Sequence, residues 1–372
     1  MPSAVIAGAG VFGASLARRL ARNGWEVTVV DPHPPGHVRA ASGHESRLIR
    51  FAHGSDRWYT RSAWRARDLW RELEEETGRS LLLECGVAWF ALSEDGWETQ
   101  SEDALRAEGV PVVRMGVDEA ASLFPTFDGE GLRFVLYEPE AGILRARAAT
   151  QALMEVALAA GARLVAGAAR PDGDAVLVNE ERLEADRIIW ACGAWLPSIF
   201  PGLVDIHVTR QDVFHFGSDA SWKSPPVPGW VEYDTAVYGT GDVDGYGVKV
   251  APDREGPSFD PEHDQRVVSA ENEEAARAYI AKRFPGLSGA PVVATRACPY
   301  ALTPDTNFLV ARHPEHERVW ILGGGSGHGF KHGPALAEYV HELLDGAEPD
   351  PRFALGTRAS GMGLRTAGGR IR

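Results

Sequence analysis

Cysteine is scarce in this chain: Cys85, Cys192 and Cys298 are the only three in 372 residues. They lie too far apart for the paired spacings of a zinc site or a disulfide framework, and their number suits a reducing compartment. No stretch reaches the roughly 20 apolar residues of a membrane-spanning helix. Positive charge is short as well. With 38 basic against 52 acidic side chains the net charge is -14, which repels phosphate backbones and anionic lipid, so neither nucleic acid nor a membrane surface is an expected partner. No basic segment precedes the apolar stretch AVIAGAGVFGASLA, and its glycines sit at fixed offsets, which suits a strand and turn better than a secretion signal. Internal repeats are lacking too. These absences point to a cytoplasmic globular protein that meets small molecules. At 372 residues and 44% hydrophobic content it is near the upper limit for one core, which favours two domains.

What is present begins at the same N-terminus. AVIAGAGVFGASLARRLARNGWEVTVVD reads as a short apolar strand, then Gly8, Gly10 and Gly13 in G-x-G-x-x-G spacing, then a helix ended by Gly24 and a strand Val27 to Val30 closing on Asp31. In such a unit the first glycine allows the tight turn, the second lets the backbone approach a pyrophosphate, and the third lets helix and strand pack. The helix N-terminus turns partial positive charge toward the phosphates. Asp31, 23 residues after Gly8, is placed to accept hydrogen bonds from an adenosine ribose. With both strands, the helix and the acid in register, dinucleotide binding outweighs a purely structural turn, but the pattern does not separate NAD from FAD.

Further along, the organisation is interleaved. A helix near Tyr59 to Thr77 carries Ala63, Ala66, Trp70 and Leu73 at helical spacing. A mixed stretch runs from CGVAWFAL to about residue 140, and Arg147 to Ala160 reads as a helix ended by Gly161. RIIWACGAW reads as a buried strand of a parallel sheet. The loop 217–229 leads to short strands from Trp230 to about residue 270, and a helix follows near 271–283. RVWILGGGSGHGFKHGPALAEYVHELLDG is again strand, glycine-rich loop and helix, with Pro334 near the helix start and Gly346 past its end. The expected fold is α/β. A discontinuous Rossmann-like dinucleotide-binding domain takes 1–85, 140–216 and 295–356, and an inserted α+β substrate domain on a mainly antiparallel sheet takes 86–139 and 217–294. The segment 357–372, with four arginines and no acid, is expected to be a flexible tail.

The motifs GAGVFG, SGHESRLIRFAHG, CPYALTPDTNF and HPEHERVWILGGGSGHGFKHG occur in this order. Together they resemble the monomeric sarcosine oxidase and N-methyltryptophan oxidase group of the D-amino-acid-oxidase-like flavoproteins, from Ala4 to roughly residue 350. The resemblance implies FAD as cofactor and a sheet-based substrate domain stacked on the flavin domain. It implies oxidation of a secondary amine by hydride transfer to the flavin, an imine product, and reoxidation by dioxygen to hydrogen peroxide. Gly8, Gly10, Phe12, Gly13, Asp31, Ser42, Arg47, Gly329 and Lys331 are the cofactor-binding residues it suggests.

It also suggests a tether and a substrate site. Cys298, with Tyr300 in a C-x-Y segment, matches the cysteine that forms a thioether to the 8-methyl carbon of the flavin. Outside that setting a free cysteine is ordinarily a small packing residue, and Cys85 and Cys192 are read as core. Arg47 and Arg50, by themselves unremarked surface charges, match arginines on opposite sides of the flavin, the first packed near the ring and the second on the substrate carboxylate, which Lys331 shares. Two cations on one carboxylate suit an amino-acid substrate. Tyr238 and Tyr300 match tyrosines lining the pocket, with ordinary packing as the competing account of Tyr238. Lys249, by itself a solvated strand lysine, matches the lysine on the other flavin face, where a side chain ordinarily protonated at neutral pH favours reduction of dioxygen. His328, flanked by glycines, is as well explained by structure as by base catalysis. Two departures affect pocket polarity and count against sarcosine itself as substrate: Asp253 stands four residues after Lys249 where the group tends to have histidine, and Gly43 precedes His44 where histidine is frequent. The expected protein is a monomeric FAD-dependent amine oxidase without a metal. A dehydrogenase or desaturase of the same fold, and a flavin-binding protein without turnover, are the alternatives.

Overall fold

The computed structural model describes residues 1–359. Its first strand, Ser3–Ala7, is apolar on both faces because both are covered: Ala4 and Ile6 enter one core cluster, Val5 and Ala7 another. Around it lies a six-stranded sheet in the order Leu309–Arg312, Val319–Gly323, Arg187–Trp190, Ser3–Ala7, Glu26–Asp31, Arg163–Ala166. All neighbours are parallel except the edge strand Leu309–Arg312. The helix Val11–Arg22 packs against Ala146–Ala159 and Gly333–Leu344 on one face. A small antiparallel sheet, Arg170–Pro171, Val176–Val178 and Glu181–Leu183, contributes Val176 and Val178 to the core of the other. RIIWACGAW thus supplies a parallel strand, as its composition indicates.

The second large sheet has eight strands: Val292–Leu302, His207–Phe216, Val248–Pro252, Val237–Thr240, Gly229–Glu232, Val87–Ala91, Phe134–Glu138 and Val113–Met115. Only the Gly229–Glu232 and Val87–Ala91 pair is parallel. The helix Ala270–Arg283, N-capped by the Ser269 side chain, contributes Ala276, Tyr279 and Ile280 to a core with Phe214, Trp230 and Phe284. His207–Phe216 and residues 295–302 of the strand Val292–Leu302, assigned by number to the dinucleotide half, pair along nearly their whole length inside this sheet. Their ladder, from His207 opposite Leu302 to Phe216 opposite Val292, carries Cys298 into the second half of the molecule.

A third sheet joins Ser46–Ile49, Gly142–Arg145 and Leu82–Leu83 and holds Arg47 in place. The helix expected near Tyr59 to Thr77 spans Arg57–Thr77. Asp56 caps it by accepting from the Trp58 and Tyr59 amides, and Gly78 ends it at φ 65°. At the other end of the chain, Arg358 donates to Asp305 and to the Phe308 and Ala354 carbonyls. Residues 360–372, most of the expected flexible tail, lie outside the described residues. Among the described residues no helix is long and apolar enough to cross a membrane.

Candidate active site

The strand-turn-helix at the N-terminus builds one end of a cavity of about 370 Å³. Gly8 has φ 106°, and a Cβ there would stand 2.5 Å from the Ala191 carbonyl oxygen, so only glycine fits. The Asp31 carboxylate accepts from the Ala9 amide at 2.7 Å and the His33 amide at 2.8 Å. The Ser42 hydroxyl accepts from the Val11 amide at 2.9 Å. Asp31 and Ser42 therefore brace the turn, and each retains lone pairs for a ligand. From the opposite side the glycine-rich loop closes down, and a Cβ on Gly329 would lie 2.8 Å from both the Gly325 Cα and the Phe12 ring. Gly8, Gly10, Phe12, Asp31, Ser42 and Gly329 all line this cavity, whereas Gly13 serves the helix–strand contact behind it.

Arg47, Arg50, Lys331, Tyr238 and Tyr300 line the same cavity. Arg50 and Lys331 are both buried. The Arg50 guanidinium donates to the Ala52 carbonyl at 2.6 Å and lies 4.9 Å from the Trp89 ring centroid. The Lys331 ammonium donates to the His328 carbonyl at 2.8 Å and has two further donors. Burial, and then the Arg50 charge, hold Lys331 well below the ordinary lysine value, with Glu138 pulling the other way.

Glu138 is a residue that sequence reasoning missed. Its carboxylate accepts from the Phe51 amide (2.7 Å), the Ala52 amide (3.1 Å) and the Trp89 indole (2.6 Å), fixing both the segment that follows Arg50 and the ring beside it. A lone acid closing the apolar strand Phe134–Glu138 was the available signal. The Tyr238 and Tyr300 hydroxyls stand 3.5 Å apart, and burial pushes Tyr238 up to about 12. Asp253, noted above only as a departure, lines the cavity beside them.

Lys249 and Cys298 line a second, smaller chamber together with His44, His215 and Arg296, and Arg47 borders both spaces. At 2% exposure Lys249 is not a solvated strand lysine. Its ammonium donates to the Ser46 carbonyl at 3.1 Å and sits 5.1 Å from the Tyr238 ring centroid. Nor is it an ordinary lysine in its titration: burial, then Arg47, push it down to about 7. In the same chamber burial lowers His44 to about 3 and His215 to about 4, so both imidazoles are neutral at pH 7. Cys298 is buried, with its Sγ 3.9 Å from the Arg47 Nη2. Cys85 is core, but Cys192 also lines the large cavity, its thiol donating to the Ala7 carbonyl at 3.3 Å. The strand Arg187–Trp190 ends just before it, and the crevice lies at the carboxyl ends of such strands.

Residues 3–343 match the profile of a family described as FAD dependent oxidoreductase, DAO. The chain belongs to this family. Within it, the chain is 29% identical over 355 residues to the monomeric sarcosine oxidase of Bacillus sp. (strain B-0618), covering 91% of each chain. It is 24% identical over 357 residues to the N-methyl-L-tryptophan oxidase of Yersinia pestis (strain Pestoides F), covering 93% of this chain and 95% of the relative. The DAO fold is shared with L-proline dehydrogenase from P. horikoshii at a TM-score of 0.82 and 23% identity, over 94% of this chain and 95% of that one. It is also shared with NikD, an amino acid oxidase of nikkomycin biosynthesis, at a TM-score of 0.78 and 21% identity, over 95% of this chain and 98% of that one. As a DAO-type FAD-dependent oxidoreductase with both sheets in place, the chain has the expected α/β fold.

Proposed function

We propose that the protein oxidises a secondary amine of the amino-acid class, an N-methyl or cyclic amino acid, to an imine, with dioxygen as acceptor and hydrogen peroxide as product. The observation that carries this reading is the convergence of two buried cations, Arg50 and Lys331, on the cavity that the Gly8 turn also lines. The names of the two relatives point to the same substrate class.

The residues fit FAD. Gly8 leaves no room for a side chain between the turn and Ala191, and the helix Val11–Arg22 has no acid in its first turn to compete with a phosphate. Gly10, Phe12, Asp31, Ser42, Arg47 and Gly329 would hold the cofactor, which when bound supplies a two-electron acceptor that dioxygen can restore. Arg50 and Lys331 bind the substrate carboxylate, and Glu138 keeps Arg50 in position. Tyr238, protonated throughout the neutral range, shares with Tyr300 the wall against which the amine is oriented. A substrate entering as the free amine asks no base of the protein. In this reading the six-stranded sheet is the FAD-binding domain, the eight-stranded sheet is the substrate domain, and the enzyme acts as a monomer.

A coupled peroxide assay over N-methyl and cyclic amino acids tests the proposal. At least one should give stoichiometric peroxide. Loss of flavin colour under anaerobic conditions without peroxide on admitting air would instead identify a dehydrogenase.

Cys298 is proposed as a covalent tether, on its burial beside Arg47, which borders both cavities. Acid precipitation should then leave the yellow chromophore in the pellet, and Cys298→Ser should release it to the supernatant. Free FAD from the unaltered protein would refute the tether.

A further inference from the structure

We propose that His53, His328 and His332 form a binding site for a divalent transition-metal ion of the zinc, cobalt or nickel class. The three imidazoles come from separate segments: the loop after Ser46–Ile49, the glycine-rich loop, and the short helix Phe330–His332. All three are buried, and one ring nitrogen of each lies within 4.8 Å of those of the other two. The site does not depend on the substrate assigned above, and it adjoins the carboxylate clamp: His328 also lines the main cavity and its carbonyl accepts from Lys331.

The remaining ring nitrogens show why these rings are poised as ligands. His53 Nδ1 is 2.9 Å from the Phe51 carbonyl and His328 Nε2 is 2.9 Å from the Thr306 carbonyl. A carbonyl only accepts, so these nitrogens carry the protons. His332 Nδ1 stands 3.0 Å from the Ser62 hydroxyl. Nε2 of His53 and Nε2 of His332 are buried without a hydrogen-bond partner. In His53 and His332 one nitrogen is anchored on a carbonyl or hydroxyl and the other is left over, which is how imidazoles are oriented around a metal. An all-imidazole set favours zinc, cobalt, nickel or copper over the oxygen-seeking magnesium and calcium.

The cations facing the cluster are Lys331 and Arg50. Their charge opposes that of a bound metal ion, and the nearby Glu138 carboxylate offsets it in part. The ring centroids stand 5.2 to 6.0 Å apart, with Tyr59 packed against all three. In a tetrahedral site with bonds of about 2.0 Å the nitrogens would be about 3.3 Å apart, so binding draws the rings inward and ties the glycine-rich loop to the helix Arg57–Thr77 through Ser62.

The test uses the holoenzyme loaded with Zn²⁺ or Co²⁺ and then desalted. Stoichiometric retained metal by atomic emission is expected, with cobalt d–d absorption to the red of the flavin band and a zinc-dependent rise in Tm. His53→Ala and His332→Ala should lose the metal while keeping bound flavin, and the exposed His263→Ala should retain it. Ser62→Ala, which removes only the partner of His332, should weaken zinc binding about tenfold to a hundredfold, and it remains informative if a histidine variant fails to fold. Absence of retained metal in the unaltered protein, or equal retention in Ser62→Ala and the histidine variants, would overturn the site.

Discussion

Lys249→Met is expected to slow the return of the oxidised spectrum in air by roughly two to four orders of magnitude, while anaerobic bleaching by substrate stays within a few-fold of the unaltered enzyme. When dioxygen takes up an electron a negative charge appears, and a fixed cation nearby stabilises it. At about 4 Å and an effective dielectric of about 20, one unit charge is worth on the order of 4 kcal/mol, roughly a thousandfold in rate. Lys249 is held for this part by the Ser46 carbonyl in the smaller chamber and lies against the ring of Tyr238, which lines the main cavity. Its titration near 7 sets the sign of the pH dependence. The ammonium is charged below about 7 and neutral above, so reoxidation should fall as pH rises through that value. Lys249→Arg, charged at every accessible pH, should flatten the profile. Stopped-flow mixing with air-saturated buffer measures all three proteins. Unchanged reoxidation in Lys249→Met, or an equal loss in the anaerobic step, would remove Lys249 from the oxygen site.

Arg50→Ala should weaken amino acids by about 30-fold to several thousandfold, the equivalent of roughly 2 to 5 kcal/mol for one partner of a desolvated charge pair. The matching amino amides should lose far less. Part of this loss arises indirectly. Without Arg50, the Trp89 ring loses its cation contact and the buried Glu138 loses a positive charge that favours its carboxylate. Burial and Arg50 lower the proton affinity of Lys331 and an arriving carboxylate opposes them, so proton uptake is the expected sign on binding. Affinity for carboxylates then declines with rising pH in the unaltered enzyme. Titration calorimetry in buffers of different ionisation heat reads the uptake, and inhibition by simple carboxylates reads the affinity. Equal losses for acids and amides would show that Arg50 does not meet the carboxylate.

Much of this site was legible in the chain because its determinants are local. The Gly8 turn, the following helix and Asp31 lie within one β-α-β unit, and Gly13 answers a backbone contact inside it, at the Gly8 carbonyl. The apolar runs Ser3–Ala7 and Arg187–Trp190 indicated strands buried on both faces for the same reason: composition and burial are properties of short segments. The resemblance to amine oxidases then marked Arg47, Arg50, Lys249, Cys298 and Lys331. The structure brings these together around two neighbouring cavities.

What only the tertiary structure decided is the state of those groups and the company they keep. No local pattern shows that Lys249 meets the Ser46 carbonyl, 203 residues distant, or that burial beside Arg47 moves its titration to neutrality. Glu138 reads as one more acid until the fold sets it against the Phe51 and Ala52 amides. His328 and His332 are four residues apart, but His53 lies some 275 residues earlier and joins them only when the glycine-rich loop packs over the helix Arg57–Thr77. Residue type and local spacing determine backbone conformation. Charge state and ligand geometry follow from desolvation and from neighbours that arrive from hundreds of residues away, and for those the folded arrangement is the cause.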